Sequence, residues 1–169
     1  TGRREAVPGD VELVVGDVAD GEVVASVLAD HQVKFVMHFA GSIIVEESVS
    51  DPLKYYRNNT SASRNLIESC VKGGVAGFVF SSTAAVYGIP EAVPVTEQSP
   101  VAPINPYGHS KLMTEQVLCD VAPVTDLRYA ILRYFNVAGA DPAGRSGQVI
   151  KDATHLIKVA CEVATGRRE

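Results

Sequence analysis

A chain of 169 residues can bury one sizeable core, and a net charge of −5 without any run of Lys or Arg argues against a nucleic-acid partner. With 46% hydrophobic and 21% charged residues, no secretory signal and no apolar run long enough to span a bilayer, it reads as a soluble globular domain. Cys70, Cys119 and Cys161 are odd in number and in no metal-ligand spacing, which predicts a reduced, cytoplasmic setting and no metal site.

The chain opens abruptly on Thr1-Gly2-Arg3-Arg4-Glu5 and stops on Gly166-Arg167-Arg168-Glu169, as an excised segment of a longer protein would. Residues 11–15 form a short apolar run ending at Gly16-Asp17, which predicts a strand and a turn. Asp20 offers an N-cap, and Val23, Val24, Val27 and Leu28 recur at helical spacing up to His31. Residues 33–39 are nearly continuously apolar, as in a parallel strand buried on both faces, and Ala40-Gly41 closes it. Ser50-Asp51-Pro52 starts a helix expected to run to about Lys72, where Gly73-Gly74 ends it.

Residues 77–80 predict a third strand running directly into Ser81-Ser82-Thr83. Five prolines between Gly88 and Pro106 mark a long loop, and loops of that length are more often functional than idle. A helix follows from about Tyr107 to Cys119 or a little beyond, then a fourth strand at 128–135, a second loop at 136–148 and a last helix at 154–165. Alternating strands and helices predict an α/β fold: a doubly wound, Rossmann-like parallel sheet covered by helices on both faces. Ligands of such sheets sit beyond the carboxyl ends of the strands. Those ends carry Gly16-Asp17, Ala40-Gly41, Ser81-Ser82-Thr83 and Phe135-Asn136.

Tyr107 and Lys111 stand four residues apart and project from one helix face. A phenol is a poor base at neutral pH, and an ammonium one turn away favours the phenolate, so the pair can move a proton at an alcohol carbon. Taken alone, that spacing is more often a coincidence on a solvated face. Thr83 can donate to a substrate oxygen or serve as an ordinary strand-end threonine. Gly41 suits a close approach of a cofactor or a plain turn; Asp17 suits an adenine or ribose or a turn; Asn59, inside a helix, suggests a hydrogen-bonding role or an exposed position. His38 reads as a satisfied core histidine and His109 as solvated.

In combination these strings are more specific. Gly16-Asp17-Val18, His38-Phe39-Ala40-Gly41, Glu47-Ser48-Val49, the run 52–59, the run 80–88, Pro106 to Met113 and the run 132–140 resemble the extended short-chain dehydrogenase/reductase superfamily, and within it the UDP-glucose 4-epimerases. The likeness runs from near Leu13 to the last residues. It implies a tightly held NAD, reduced and reoxidised within one turnover, and epimerisation at C4 of a UDP-hexose such as UDP-glucose or UDP-galactose through a 4-keto sugar. Carried over by motif, Tyr107 is the base, Lys111 holds the nicotinamide ribose and lowers the phenol pKa, and Thr83 bonds the C4 oxygen. Asp17 and Val18 lie by the adenine, Phe39, Ala40 and Gly41 along the pyrophosphate and ribose, and Asn59 and Ser81 face the cofactor. Phe135 lies near the nicotinamide, and Asn136 binds the substrate diphosphate.

The resemblance also implies a homodimer packed through the helices at 52–72 and 107–122. It makes 1–169 a partial NAD-binding domain, with the substrate-binding region starting at about 136–169. Three departures matter. The Gly-x-x-Gly-x-x-Gly fingerprint and the acidic residue that would follow it are absent, the substrate-binding C-terminal part is expected beyond Glu169, and Ile43 stands where these epimerases often have a Lys. By itself the segment is therefore expected to hold NAD weakly and to be inactive. The alternatives are another epimerase of the superfamily, acting on UDP-glucuronate or a UDP-N-acetylhexosamine, or a non-catalytic binding protein that keeps the fold. A 4,6-dehydratase fits less well, because Ala84-Ala85 follow Thr83 where the dehydratases put Asp-Glu.

Overall fold

The computed structural model describes residues 4, 7–139, 141–145 and 155–168. The chain divides into two compact units, Gly16–Phe135 and the pair of segments Thr1–Val15 with Asn136–Glu169.

The larger unit starts with helix α1, Gly21–Asp30, whose first turn is capped by the Asp20 carboxylate accepting from Glu22 and Val23 N–H. Strand β1, Phe35–His38, follows, then the short helices α2, Val45–Ser50, and α3, Pro52–Tyr55. A π-helical turn, Tyr56–Ser61, leads into α4, Ala62–Lys72. Strand β2, Gly77–Ser81, a 3₁₀ turn at Ala84–Tyr87, helix α5, Pro106–Val121, and strand β3, Arg128–Leu132, complete the unit.

The three strands form a parallel sheet in the order β1-β2-β3, with Phe35 opposite Gly77 and Gly77 opposite Arg128. Each parallel connection runs through helices, as parallel pairing requires. One face of the sheet is the core. Phe78 and Phe80 pack with Leu28 of α1, Leu66, Ile67 and Cys70 of α4, and Leu118 of α5, with Val36 and Ile131 beside them. Each of these large side chains contributes about 1.5–3 kcal/mol by leaving water.

Four expectations change. Residues 11–15 are not a strand: they have no ladder partner among the described residues, and Val15 is 86% exposed. Among the described residues the sheet has three strands, and Phe35 and Met37 stand 73% and 63% exposed on the face away from that core. The helix expected over 52–72 is interrupted by the π turn, and α2 precedes it unannounced. β3 stops at Leu132 because Arg133 and Tyr134 leave the ladder for other bonds: the Tyr134 carbonyl accepts from Ala84 N–H at 3.0 Å.

In the smaller unit, helix α6, Leu156–Ala164, matches the last predicted helix, whose position 154 lies outside the described residues. Leu156 and Ile157 are exposed on it.

Candidate active site

Helix α5 is started by Asn105, whose side chain accepts from Gly108 N–H at 2.8 Å, and by Pro106 in the first turn. Gly108 is needed there: a Cβ would lie 2.9 Å from the Ala85 carbonyl oxygen, so only glycine lets the helix approach the 3₁₀ turn this closely. Steps of four residues then put Tyr107, Lys111 and Glu115 on one face.

That face meets the end of β2 residue by residue. Lys111 Nζ donates to the Ser81 carbonyl at 2.9 Å. Ser82 Oγ donates to Glu115 Oε1. The Thr83 hydroxyl accepts from Ala85 N–H at 3.1 Å and lies near enough to the Tyr107 phenol to lower its pKa. Three consecutive residues thus engage three turns of one helix. On the far side, Ser81 Oγ bonds the Tyr134 hydroxyl.

Lys111 is 3% exposed, with Nζ 5.0 Å from the centre of the Phe80 ring, and burial pushes its ammonium down to about 8. Tyr107 moves in the opposite direction from the sequence-based expectation. Burial raises its pKa, Tyr134 adds to the rise, and the Thr83 hydroxyl opposes it. The reason is geometric: Lys111 spends its contact on the Ser81 carbonyl and leaves burial to dominate the phenol.

The loop after β1 closes the other side. A Cβ on Gly41 would lie 2.9 Å from Asn59 Oδ1 and 3.5 Å from Lys111 Nζ, so its lack of a side chain keeps this approach open. Asn59 sits in the π turn, where the wider turn accompanies an inward-facing side chain. Its Oδ1 accepts from Ser42 N–H at 2.7 Å, and its two amide hydrogens go to the Ser42 carbonyl and Ser110 Oγ, each at 3.0 Å. Thr114 Oγ1 donates to the Asn59 carbonyl at 2.9 Å, and Ser110 Oγ donates to the Tyr107 carbonyl at 2.8 Å. Asn59 is therefore a tie between the 41–42 loop and α5, with no N–H left over.

Phe39, Ala40 and Gly41 are exposed beyond β1, and Phe135 is 77% exposed beyond β3. Asp17 is exposed and turns back on its own backbone, accepting from Ala19 N–H at 2.9 Å, while Val18 packs against the core. Asn136 belongs to the smaller unit and is exposed. His38 is buried and bonded to Ser63 Oγ at 2.7 Å, and His109 is exposed. Ser82, Ser110, Glu115, Arg133 and Tyr55 are structurally engaged here but went unread in the sequence. Of these, only Glu115 carried a signal, standing one further turn along the face of Tyr107 and Lys111.

The model of the NAD dependent epimerase/dehydratase family matches residues 1–165. The chain belongs to that family. In it, this chain is 61% identical over 167 residues to a UDP-glucose 4-epimerase of Azospirillum brasilense, an alignment covering 99% of this chain and 48% of that protein. A crystal structure of a UDP-glucose 4-epimerase superposes with a TM-score of 0.93 at 39% identity, over 99% of this chain and 51% of the other. The Brucella ovis UDP-glucose 4-epimerase in complex with NAD superposes at 0.85 with 42% identity, over 91% and 47%. The chain spans about half the length of the curated relatives it matches. A family member of this kind has the parallel, helix-flanked sheet described above, so the Rossmann-like expectation stands with three strands in place.

Proposed function

We propose that the full-length protein carrying this chain is an NAD-dependent UDP-glucose 4-epimerase, with Tyr107, Lys111 and Thr83 at its reacting centre. One observation carries the reading. The Thr83 hydroxyl lies near enough to the Tyr107 phenol to lower its pKa, at the carboxyl end of a parallel strand, with a buried ammonium in the same cluster.

The residues fit the cofactor. Lys111 has three N–H donors and gives one to the Ser81 carbonyl, and no second acceptor is in reach among the described residues. Two donors of a buried cation beside the bare Gly41 backbone suit a ribose diol, and the exposed Phe39, Ala40 and Gly41 supply the backbone beside it. Asp17 and Val18 on the adenine side, Ser81 beneath the ribose and Phe135 near the nicotinamide complete the reading, with Asn59 acting through the 41–42 loop.

A bound NAD supplies the hydride acceptor and donor at C4. Tyr107 takes the C4 hydroxyl proton and returns it. Thr83 holds the C4 oxygen and favours the phenolate of Tyr107, whose pKa it lowers. Lys111 contributes the positive charge that a phenolate needs nearby. The charge acts strongly because its site is dry. Asn136, and the 136–169 region with it, belongs to the binding of the UDP diphosphate. A cytoplasmic setting, consistent with three free cysteines, and the homodimer implied by the family resemblance are part of the same reading.

The test is direct. The full-length protein should release NAD on denaturation and interconvert UDP-glucose and UDP-galactose. Tyr107→Phe should abolish turnover and retain NAD. Absence of both NAD and interconversion sinks the reading; activity on N-acetylated or glucuronate substrates alone moves it to another epimerase of the family.

A further inference from the structure

The pair of Glu115, which is buried, and Arg133, whose side chain is 24% exposed, lies just below the reacting centre. Glu115 is 2% exposed, and its carboxylate receives Arg133 Nε at 3.1 and 3.0 Å, Arg133 Nη2 at 2.6 Å, and Ser82 Oγ. Arg133 reaches on: Nη1 donates to the Tyr87 hydroxyl at 3.2 Å, and the guanidinium lies 5.2 Å from the centre of the Tyr87 ring. Tyr87 ends the 3₁₀ turn that Thr83 caps through Ala85 N–H.

The pair therefore grips both ends of one short peptide. Ser82, held by Glu115, is the residue before Thr83. Tyr87, held by Arg133, is the last residue of the turn after it. A buried ion pair is a poor device for stability, because desolvating two charges consumes most of their attraction and apolar residues of equal volume often do as well. A forked guanidinium on a carboxylate is, however, a good device for direction, since its two parallel bonds fix angle as well as distance. The side chains it fixes are the neighbours of a residue whose hydroxyl must meet a phenol.

We propose that Glu115 and Arg133 are positioning residues for catalysis: they hold the 82–87 peptide so that the Thr83 hydroxyl stays beside Tyr107 while the Ser81 carbonyl stays on Lys111. This rests on the epimerase reading for its activity assay, and has a second readout that does not.

The test uses the full-length protein and the double variant Glu115→Leu with Arg133→Met, which removes both charges at similar volume and leaves neither orphaned. The thermal midpoint should stay close to wild type. The kcat for UDP-galactose should fall about ten- to a hundredfold, the cost of a misplaced reacting group, with KM and NAD content unchanged. The ultraviolet phenolate titration of Tyr107, isolated by subtracting Tyr107→Phe, should move to higher pH as Thr83 draws away from it. A stable double variant with unchanged kcat and unchanged titration overturns the proposal. If wild type is inactive on UDP-sugars, the epimerase reading fails alone, and the titration still decides the positioning role. If the double variant does not fold, Ser82→Ala removes one hydroxyl and strands no charge. It should lower kcat several-fold and raise the Tyr107 titration, and no change in either refutes the role. Arg133→Lys, which keeps the charge and loses the fork, should restore folding but not kcat; full kcat in that variant also overturns it.

Discussion

The rings of Tyr55 and Tyr107 meet edge to face, with centroids 6.3 Å apart and planes at 87°. Tyr55 is wholly buried, and its hydroxyl accepts from Ile44 N–H at 2.9 Å and shares its proton between the Ile44 carbonyl and Glu47 Oε2. Burial and Glu47 push it up to about 12, so it stays protonated and does not compete with Tyr107 as a base. Tyr55→Phe keeps the ring contact and strands Ile44 N–H, so it should cost about 1–3 kcal/mol of stability with kcat nearly unchanged. Tyr55→Leu loses the ring as well and should lower kcat about three- to tenfold further. Chemical denaturation and steady-state kinetics on the same preparations separate the two effects.

Lys111 should trade stability for function. Its folded pKa of about 8 lies below its ordinary 10.5. A depressed pKa contributes stability that is present above the unfolded value and lost as pH falls through the folded one. The cost of the buried charge is thus full below about pH 8 and fades towards 10.5. Lys111→Met removes that charge and gives up the Ser81 bond. In protein stripped of cofactor it should be more stable than wild type by roughly 1–2 kcal/mol at pH 7, with the gain shrinking above pH 8 and activity absent throughout. Thermal melts across pH 6–10 check the sign; a gain that grew with pH would contradict it.

His38 should be one of the groups that acid destabilises. Burial first, and then the Lys111 charge, lower it to about 4. Its neutral ring is stabilising above the unfolded value of 6.5, and that contribution disappears as pH falls from 6.5 through 4, up to ~3 kcal/mol in all. In urea titrations, His38→Asn should be less stable at pH 7 and lose less between pH 6.5 and 4 than wild type.

The Asn59 tie predicts a hierarchy. Asn59→Ala breaks three side-chain bonds and orphans Ser42 N–H, at a cost of about 2–4 kcal/mol. Ser110→Ala removes one amide bond of Asn59 and should cost nearer ~1 kcal/mol. Because the tie orders the 41–42 loop, NAD retained after gel filtration of the full-length protein should fall in the order wild type, Ser110→Ala, Asn59→Ala.

Much of this site was legible in the residues. Helix caps are local chemistry, so Asp20 marks the start of α1 to a reader of the chain, whereas the start of α5 reads one residue late, at Tyr107. Tyr107, Lys111 and Thr83 were recognisable because their strings are characteristic of the family. What could not be read is the direction of the Tyr107 shift, since it depends on which acceptor Lys111 chooses, and that choice is made by the fold. The π turn was hidden for a similar reason: the letters of 52–72 suit an unbroken helix, and the inward turn of Asn59 is specified by Ser42 and Ser110, distant in sequence. Residues 11–15 misled through pattern, because alternation and apolarity describe a strand only where a neighbouring backbone accepts its hydrogen bonds.

The tripeptide after β2 has a consequence for what evolution or an engineer can do to this chain. Ser81, Ser82 and Thr83 are each matched to a separate turn of α5, so their count matters more than their chemistry. Inserting or deleting one residue there would hand the Thr83 position to a neighbour facing the opposite way, whereas residues 89–101, among the described residues, make no hydrogen bond to α5. A library of single-codon indels selected for activity should therefore return survivors from 89–101 and none from 81–83: the site keeps a reading frame of its own, set in hydrogen bonds.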